Sequence, residues 1–175
     1  MEVILSPNPV LLQVAKECTQ DESFASIAKE MQDLMYKYHG IGLAGPQVGL
    51  SKRIIVVDSQ YDPDDLDNTK APITLINPKI IKTEGELEES SEGCLSCPGI
   101  SVPVMRYPKV TVKYFDTDWK EQIVEAEDLF AHCLQHEIDH LDGKTLFQTC
   151  LPEYRIQALS EYQEALNQGA IPGDC

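Results

Sequence analysis

The strongest constraint on the fold is the stretch of residues 127–141, in which apolar side chains recur at the spacing of an α-helix. Gly143 lies just beyond this stretch, where a helix is expected to end. The segments before it are short and rich in β-branched residues, which is typical of strands. We therefore predict an α+β fold in which antiparallel strands surround a central helix, with N-terminal helices and a C-terminal helix.

The remaining elements are predicted from the same patterns. Helices are expected at residues 7–16, from Phe24 to Tyr38 with an end at Gly40, and at residues 152–168. The polar run 21–23 is expected to cap the second of these helices. Strands are predicted at residues 53–58, 73–81, around 84–88, 110–114 and 122–126, and a solvated loop at residues 61–70.

Length and composition exclude several classes of protein. The 175 residues fit one domain of ordinary size, so a single domain is predicted over residues 1–175. A hydrophobic share of 42% and a charged share of 25% are those of globular proteins, and no apolar run is long enough to cross a membrane. The formal net charge of −15 would repel phosphate backbones, so nucleic acid is not expected as a direct partner.

The N-terminal residues and the cysteines bear on the cellular compartment. Met1 is followed by Glu2 and Val3, without the basic and apolar runs of a secretory signal, so a cytoplasmic location is expected. Thiols stay reduced in that compartment, and we expect no structural disulfide. The six cysteines, which show no repeating pattern, are Cys18, Cys94, Cys97, Cys133, Cys150 and Cys175.

The central helix also carries the clearest chemical signal. His136 and His140 are four residues apart, so they lie on one helix face and are close enough to bind one metal ion. Glu137 is placed to take a proton from an attacking water and to pass it to the leaving nitrogen. The alternative is a surface helix that contains these residues by chance. Two of only four histidines at this spacing argue against it.

A catalytic metal site of tetrahedral geometry needs a third protein ligand. The long metzincin pattern would place a histidine where this chain has Leu146, and Glu161 or Glu164 would resemble other zinc peptidases but lie in a charged terminal helix. Cys94 is the better candidate, because its neighbours are small and polar, unlike those of a structural cysteine. Cys97 adds the outline of a redox or zinc-knuckle pair, but no second such pair exists.

A glycine-rich stretch at residues 40–49 is the third feature. Its glycines precede the strand predicted at residues 53–58, and no Lys-Ser/Thr pair follows, which argues against a phosphate-binding loop. Glycines here would let a peptide backbone approach, and the Gln47 amide would donate to an oxyanion. A plain tight turn is the alternative.

Together the three segments resemble the peptide deformylase family. That family has a Gly-x-Gly-Leu-Ala-Ala-Pro-Gln type loop, a Glu-Gly-Cys-Leu-Ser segment and a His-Glu-x-x-His helix in this order, and the resemblance covers nearly the whole chain. It implies removal of the formyl group from N-formylmethionyl peptides of nascent chains, with release of formate. It also implies one divalent metal ion bound by Cys94, His136 and His140. The native ion would be Fe(II), often replaced by Ni(II), Co(II) or Zn(II).

The resemblance also implies roles for residues around the metal. Gln47 and the backbone N–H of Leu95 would stabilise the formyl oxygen, and Gly42 would bind the substrate backbone. Arg106 and Asp139 are expected to support the histidines, with surface positions as the alternative. Glu92 is expected to hold the cysteine loop, and an exposed acidic residue is the alternative. Three residues are predicted to line the methionine pocket, with ordinary core packing as the alternative: Ile41, Leu129 and Cys133.

The chain departs from the family pattern at several positions. Gly45 replaces an alanine and is expected to add backbone freedom beside Gln47. His132 lies where relatives often have an apolar residue, so a more polar pocket rim is expected. From residue 152 onward Arg155 is the one basic residue, which argues against ribosome docking through the terminal helix.

Two rival functions follow from the same residues. A general metallopeptidase would need an extended cleft on both sides of the scissile bond. A non-catalytic relative would keep the metal for binding or redox sensing through Cys94 and Cys97. The presence of Glu137 and Gln47 argues against the second rival.

Overall fold

The frame of the fold is a five-stranded antiparallel sheet. The computed structural model describes residues 1–65, 67 and 69–174. The strands of the large sheet are β1 (Gly42–Ala44), β2 (Ile54–Val57), β3 (Ile73–Glu84), β6 (Lys109–Phe115) and β7 (Glu121–Glu127), adjacent in that order. A separate two-stranded sheet pairs β4 (Glu88–Glu92) with β5 (Val102–Arg106). The two sheets together supply the antiparallel strands that were predicted.

Four of the predicted strands correspond to β2, β3, β6 and β7. All four residues of β2 are buried, as its continuous β-branched run indicates. The strand predicted around residues 84–88 is wrong, because β3 ends at Glu84 and β4 begins only at Glu88. Between them Gly85 has a φ of 82°, a conformation that glycine adopts without strain, and the chain turns there.

Strands β1 and β5 were not predicted from the sequence. β1 has only three residues and lies inside the glycine-rich stretch. β5 contains Pro103, which lacks a backbone N–H and is tolerated because a two-stranded sheet has only edge strands. Both strands are therefore stabilised by their partners and not by a strong local preference.

The helices are α1 (Ala25–Lys37), α2 (Asp128–Leu141), α3 (Leu146–Thr149) and α4 (Arg155–Asn167). Residues 7–16 were predicted as a helix, but only a 3₁₀ turn at Pro9–Leu12 forms there. The N-cap of α1 is Phe24, without a side-chain hydrogen bond, so the predicted cap at 21–23 is wrong. A 3₁₀ turn at Pro152–Tyr154 precedes α4, and α3 is too short to be recognised by periodicity.

Helix α2 packs against the large sheet along one face. Its Leu134 and Leu141 are fully buried and share a core cluster with Val110 and Val112 of β6 and Ala126 of β7. This packing confirms the predicted α+β arrangement around a central helix. Because one face of α2 is buried in the core, the polar residues on that face are held in fixed positions.

Three further expectations concern loops, thiols and membranes. Of the predicted loop at residues 61–70, residues 66 and 68 lie outside the described part of the chain, and the others contain neither helix nor strand. The five described cysteines all have free thiols, and Cys175 lies outside the described residues. No helix within the described ranges is long and apolar enough to cross a membrane.

Replacing Leu134 by alanine should lower the free energy of unfolding by about 3 kcal/mol, because it leaves a cavity in the main core. Urea unfolding followed by circular dichroism measures this change. Ile156→Ala is the control, since the Ile156 side chain is 83% exposed and its loss should change stability by less than about 0.5 kcal/mol. Equal effects of the two substitutions would contradict this description of the core.

Candidate active site

Three candidate metal ligands from two segments meet at one point. Helix α2 presents His136 and His140 one turn apart, and the loop after β4 presents Cys94. Their ligand atoms all lie within 4.8 Å of one another. The two imidazole Nε2 atoms are 3.2 Å apart, and Cys94 Sγ lies 3.4 Å from His140 Nε2.

These separations fit one tetrahedrally coordinated ion. Nitrogen ligands at roughly 2.0–2.1 Å from such an ion lie about 3.3 Å from each other, and a sulfur at about 2.3 Å lies slightly farther from them. Thiolate and imidazole are also donors that late first-row divalent metals prefer. The donor set and its spacing therefore suit a single transition-metal cation.

A buried ion-pair network supports His136. Its Nδ1 lies 3.0 Å from Glu92 Oε1, which leaves Nε2 directed at the point where the ligand atoms meet. Arg106 donates to both oxygens of Glu92, at 2.9 and 2.8 Å, and also to Asp139 on α2. Arg106 and Asp139 were predicted to support the histidines, and they do so through Glu92, which is the residue that contacts the imidazole.

The network shifts the pKa values of its members. Burial opposes ionisation of Glu92, but its contacts with Arg106 and His136 outweigh this effect and lower the pKa to about 2. Burial lowers the pKa of His136, yet hydrogen bonds with Cys94 and Glu92 hold it well above the usual range. The pKa of Cys94 is raised, first by a hydrogen bond with Cys97 and then by burial. His136 and Cys94 therefore both retain their protons to higher pH than usual.

Glu137 lies beside the ligand cluster and is only 3% exposed. Its Oε1 is 3.9 Å from His136 Nε2, and its buried Oε2 has no hydrogen-bond partner among the described residues. Burial raises the pKa of this carboxyl to about 7. A buried oxygen of this kind is costly unless water, an ion or a substrate satisfies it.

Gln47 reaches the cluster from a short 3₁₀ turn, Gly45–Val48, after β1. Its Oε1 accepts a hydrogen bond from the Ala44 backbone N–H at 2.9 Å, so its Nε2 must point the other way. That Nε2 donates to Cys94 Sγ at 3.3 Å and to Ser96 Oγ at 3.1 Å. The amide donor predicted from the glycine-rich stretch therefore lies next to the candidate ligand.

A cleft of about 280 Å³ opens onto these residues. Gly42 lies at its base, where a Cβ would come within 2.7 Å of Glu137 Oε1. His132 borders the cleft with its Nε2 2.9 Å from Glu88 Oε1, so this wall carries the polar group that the sequence indicated. The other residues predicted to contact substrate also line the cleft: Ile41, Leu95, Leu129 and Cys133.

Gly45 does not add freedom beside Gln47, contrary to the sequence expectation. A Cβ at this position would lie 2.6 Å from the carbonyl oxygen of Lys52 and 2.8 Å from that of Leu50. The backbone of residues 50–52 thus occupies the space of a side chain. Glycine here allows close packing that holds the turn in place.

Some contributors to the site were not predicted. Ser96 accepts from Gln47, and its only sequence signal was that it ends the Glu-Gly-Cys-Leu-Ser segment. Gly173 and Asp174 line the cleft although they lie far from all three motifs. Their contacts are long-range, and local sequence patterns do not reveal them.

The polypeptide deformylase family model matches residues 1–155. The chain belongs to the polypeptide deformylase family. The peptide deformylase of Natranaerobius thermophilus is 46% identical over 149 residues, which cover 85% of this chain and 90% of that protein. The peptide deformylase of Nitrosococcus oceani is 36% identical over 170 residues, which cover 95% of this chain and 98% of that protein.

Solved deformylase structures share the fold. The structure from Legionella pneumophila superimposes with a TM-score of 0.85 at 36% identity and covers 95% of each chain. That from Synechococcus elongatus, in complex with actinonin, gives a TM-score of 0.81 at 37% identity over 96% of this chain and 86% of that chain. The predicted family and fold class are confirmed.

The comparisons also establish the reaction. Deformylases are metal-dependent hydrolases that remove the formyl group from the N-terminal formylmethionine of nascent peptides. This activity is the one predicted for the chain, in preference to a general metallopeptidase or a non-catalytic relative. The cluster of one thiol and two imidazoles is a candidate metal site that fits this class of enzyme.

Glu92→Gln should weaken metal binding by about 10- to 100-fold, because it removes the charge that orients His136. Competition with a chromophoric chelator measures the affinity. Glu89→Gln is the matched control, since Glu89 is an exposed residue of the same strand, and it should leave affinity unchanged. Equal affinities of the two variants would refute the role of the Glu92 contact.

Gly42→Ala should lower kcat/KM by about 100-fold with metal content unchanged, because the new methyl would displace Glu137 or Cys133. Steady-state deformylation and elemental analysis measure the two quantities. Gly40→Ala is the control, since its Cβ would meet only flexible side chains, the nearest being Leu95 Cδ1 at 3.0 Å. A fully active Gly42→Ala enzyme would contradict the close packing of Gly42 against Glu137 and Cys133.

Proposed function

We propose that this deformylase binds one divalent cation through Cys94, His136 and His140 and cleaves the formyl amide in the adjoining cleft. The observation that carries the proposal is the meeting of three donor atoms at tetrahedral separations beside the buried carboxylate of Glu137. A formyl amide is small, and a cleft of about 280 Å³ suits one amide with its neighbouring side chain.

The metal ion, when bound, supplies Lewis-acid polarisation of the formyl carbonyl and makes water a nucleophile near neutral pH. We propose Fe(II) as the native ion, with Ni(II), Co(II) or Zn(II) able to replace it, because one thiolate and two imidazoles accept all four. A thiolate beside Fe(II) also makes the enzyme sensitive to oxygen and peroxide.

Glu137 is the proposed general base and acid. It takes a proton from the attacking water and delivers it to the amine that leaves as formate is released. Its position supports this role, since it adjoins His136 and its Oε2 has no partner among the described residues. The missing side chain of Gly42 lets this carboxylate pack directly against the backbone of β1, which lines the cleft.

Gln47 and the backbone N–H of Leu95 are the proposed donors to the formyl oxygen. The bond from the Ala44 backbone N–H to Gln47 Oε1 presents the Gln47 amide nitrogen to the cleft. A donor that is fixed before the reaction needs no reorganisation when negative charge develops on the oxygen. Leu95 directly follows Cys94 and borders the same cleft.

Ile41, Leu129 and Cys133 form the proposed pocket for the methionine side chain. Cys133 Sγ is 3.6 Å from the Ile41 carbonyl oxygen, so α2 contacts the segment that leads into β1 there. Leu129 is 54% exposed, which is typical of a pocket rim and unlike core packing. A bound methionine side chain would cover this exposed apolar surface.

The proposed partners are N-formylmethionyl peptides of nascent chains, and the proposed compartment is the cytoplasm, where such chains are made. Association with the ribosome through α4 is not part of the proposal. Arg155 is the one basic residue of this helix, and it donates to the carbonyl oxygens of Phe147 and Gln148, so the helix does not present a basic surface. Nucleic acid and membranes are not proposed as partners.

The proposal predicts different losses for two substitutions. Glu137→Ala should keep the metal and lose at least about 100-fold in kcat on a formyl-Met peptide, because proton transfer is removed. Cys94→Ser should lower the metal content itself, because a ligand is changed. Anaerobic purification, elemental analysis and a formate-release assay measure both.

Glu153→Ala provides the control, because Glu153 is exposed and does not line the cleft. It should match the unaltered enzyme in metal content and rate. Full activity of Glu137→Ala would exclude the proposed mechanism. Unchanged metal content in Cys94→Ser would exclude the proposed ligand set.

A further inference from the structure

The C-terminal tail, residues 169–174, returns to the cleft although the family match ends at residue 155. Helix α4 is anchored to the body by Tyr162, whose hydroxyl donates to the Ser6 carbonyl oxygen at 2.7 Å. After α4, Gly169 has a φ of 84° and Ala170 N–H donates to the Ala165 carbonyl oxygen at 2.9 Å, so the chain reverses. The reversal directs the tail back toward the loop that carries Cys94.

Two contacts hold the tail against the segments that border the cleft. The Gly99 backbone N–H donates to the Asp174 carbonyl oxygen at 2.9 Å. Gly173 packs so closely on the Tyr38 backbone that a Cβ would lie 2.7 Å from its carbonyl oxygen. The tail thus bridges the end of α1 and the turn that follows Cys94.

The tail and the proposed methionine pocket border the cleft through different segments of the chain. The tail contacts Tyr38, which leads into Gly40 beside Leu95, whereas Leu129 and Cys133 belong to α2. A peptide whose first side chain lies against α2 must extend its later residues across the remaining openings of the cleft. The wall formed by the tail is one of these.

The tail also sets the charge of that wall. Among the described residues that line the cleft there is no lysine or arginine. Glu92 is neutralised by Arg106, and Glu137 is buried beside the candidate ligands. Asp174 is the exposed carboxylate of the lining, and its Oδ2 is held by the Ile171 backbone N–H at 2.8 Å.

We propose that residues 170–174 are a specificity wall that contacts the substrate downstream of formylmethionine and favours basic over acidic residues there. This inference rests on the proposed use of the cleft for the formylated peptide. The tail touches no reacting group, so it should act on KM for longer peptides and leave a formyl-Met dipeptide unaffected.

The charge is tested with formyl-Met-Ala, formyl-Met-Ala-Lys-Lys-Ala and formyl-Met-Ala-Glu-Glu-Ala at low ionic strength. The unaltered enzyme should prefer the lysine peptide in kcat/KM, and Asp174→Asn should reduce that preference by about threefold through lost Coulomb attraction. Glu153→Gln, the same change at an exposed site outside the lining, should not reduce it. No preference in the unaltered enzyme, or an unchanged preference in Asp174→Asn, would overturn the proposal.

The wall itself is tested with two glycines that both have a positive φ. Gly173→Ala collides with Tyr38 and should raise KM for the pentapeptides at least about threefold, whereas Gly169→Ala meets no atom within 4 Å and should not. Equal KM values in these two variants would overturn the proposal. Failure of the unaltered enzyme to process formyl-Met-Ala would instead refute the proposed function.

Discussion

The buried guanidinium of Arg106 is the interaction on which the geometry of the site depends. Arg106 ends β5, and it joins Glu92 at the end of β4 to Asp139 on α2. A buried charge that loses its partner costs several kcal/mol, so the small sheet and the helix cannot separate without a large penalty. Cys94 follows Glu92 by two residues, and His136 shares a helix with Asp139. The same network therefore fixes the candidate thiol ligand relative to the imidazoles.

The third segment of the site is positioned by a different kind of contact. Gly45 lets the backbone of residues 50–52 approach to a distance that any side chain would prevent, and this holds the turn that bears Gln47. Gln47 is then oriented by the Ala44 N–H and donates toward Cys94 and Ser96. Ion pairing thus fixes one half of the site, and close backbone packing fixes the other.

The candidate metal ligands were easier to recognise from the sequence than the residues and strands that hold them in place. His136 and His140 could be selected from their spacing, whereas Cys94 was selected among six cysteines because its neighbours are small and polar. Helix α2 was recognisable because its period is set by its own residues. β5 was not predicted because it contains Pro103, which is unfavourable in strands, and because the strand is stabilised by pairing with β4. The contact of Glu92 with His136 spans 44 residues, and the tail at Gly173 is placed by packing on Tyr38. Neither leaves a local pattern.

The charge balance of the buried cluster explains why these residues tolerate one another. With Cys94 as a thiolate and His136 neutral, the forms that bind a metal ion, four acidic groups (Cys94, Glu92, Glu137 and Asp139) face the single positive charge of Arg106. Such an excess is costly in a poorly solvated site unless cations or protons offset it. Against the effect of burial, hydrogen bonds with Cys94 and Glu92 raise the pKa of His136, burial raises that of Glu137, and a hydrogen bond with Cys97 together with burial raises that of Cys94, so all three groups hold protons more firmly than usual. A divalent cation held by Cys94, His136 and His140 would also offset the excess negative charge, so metal and protons compete for one set of atoms. The arrangement that makes the cluster costly without a cation is thus the one that favours binding it.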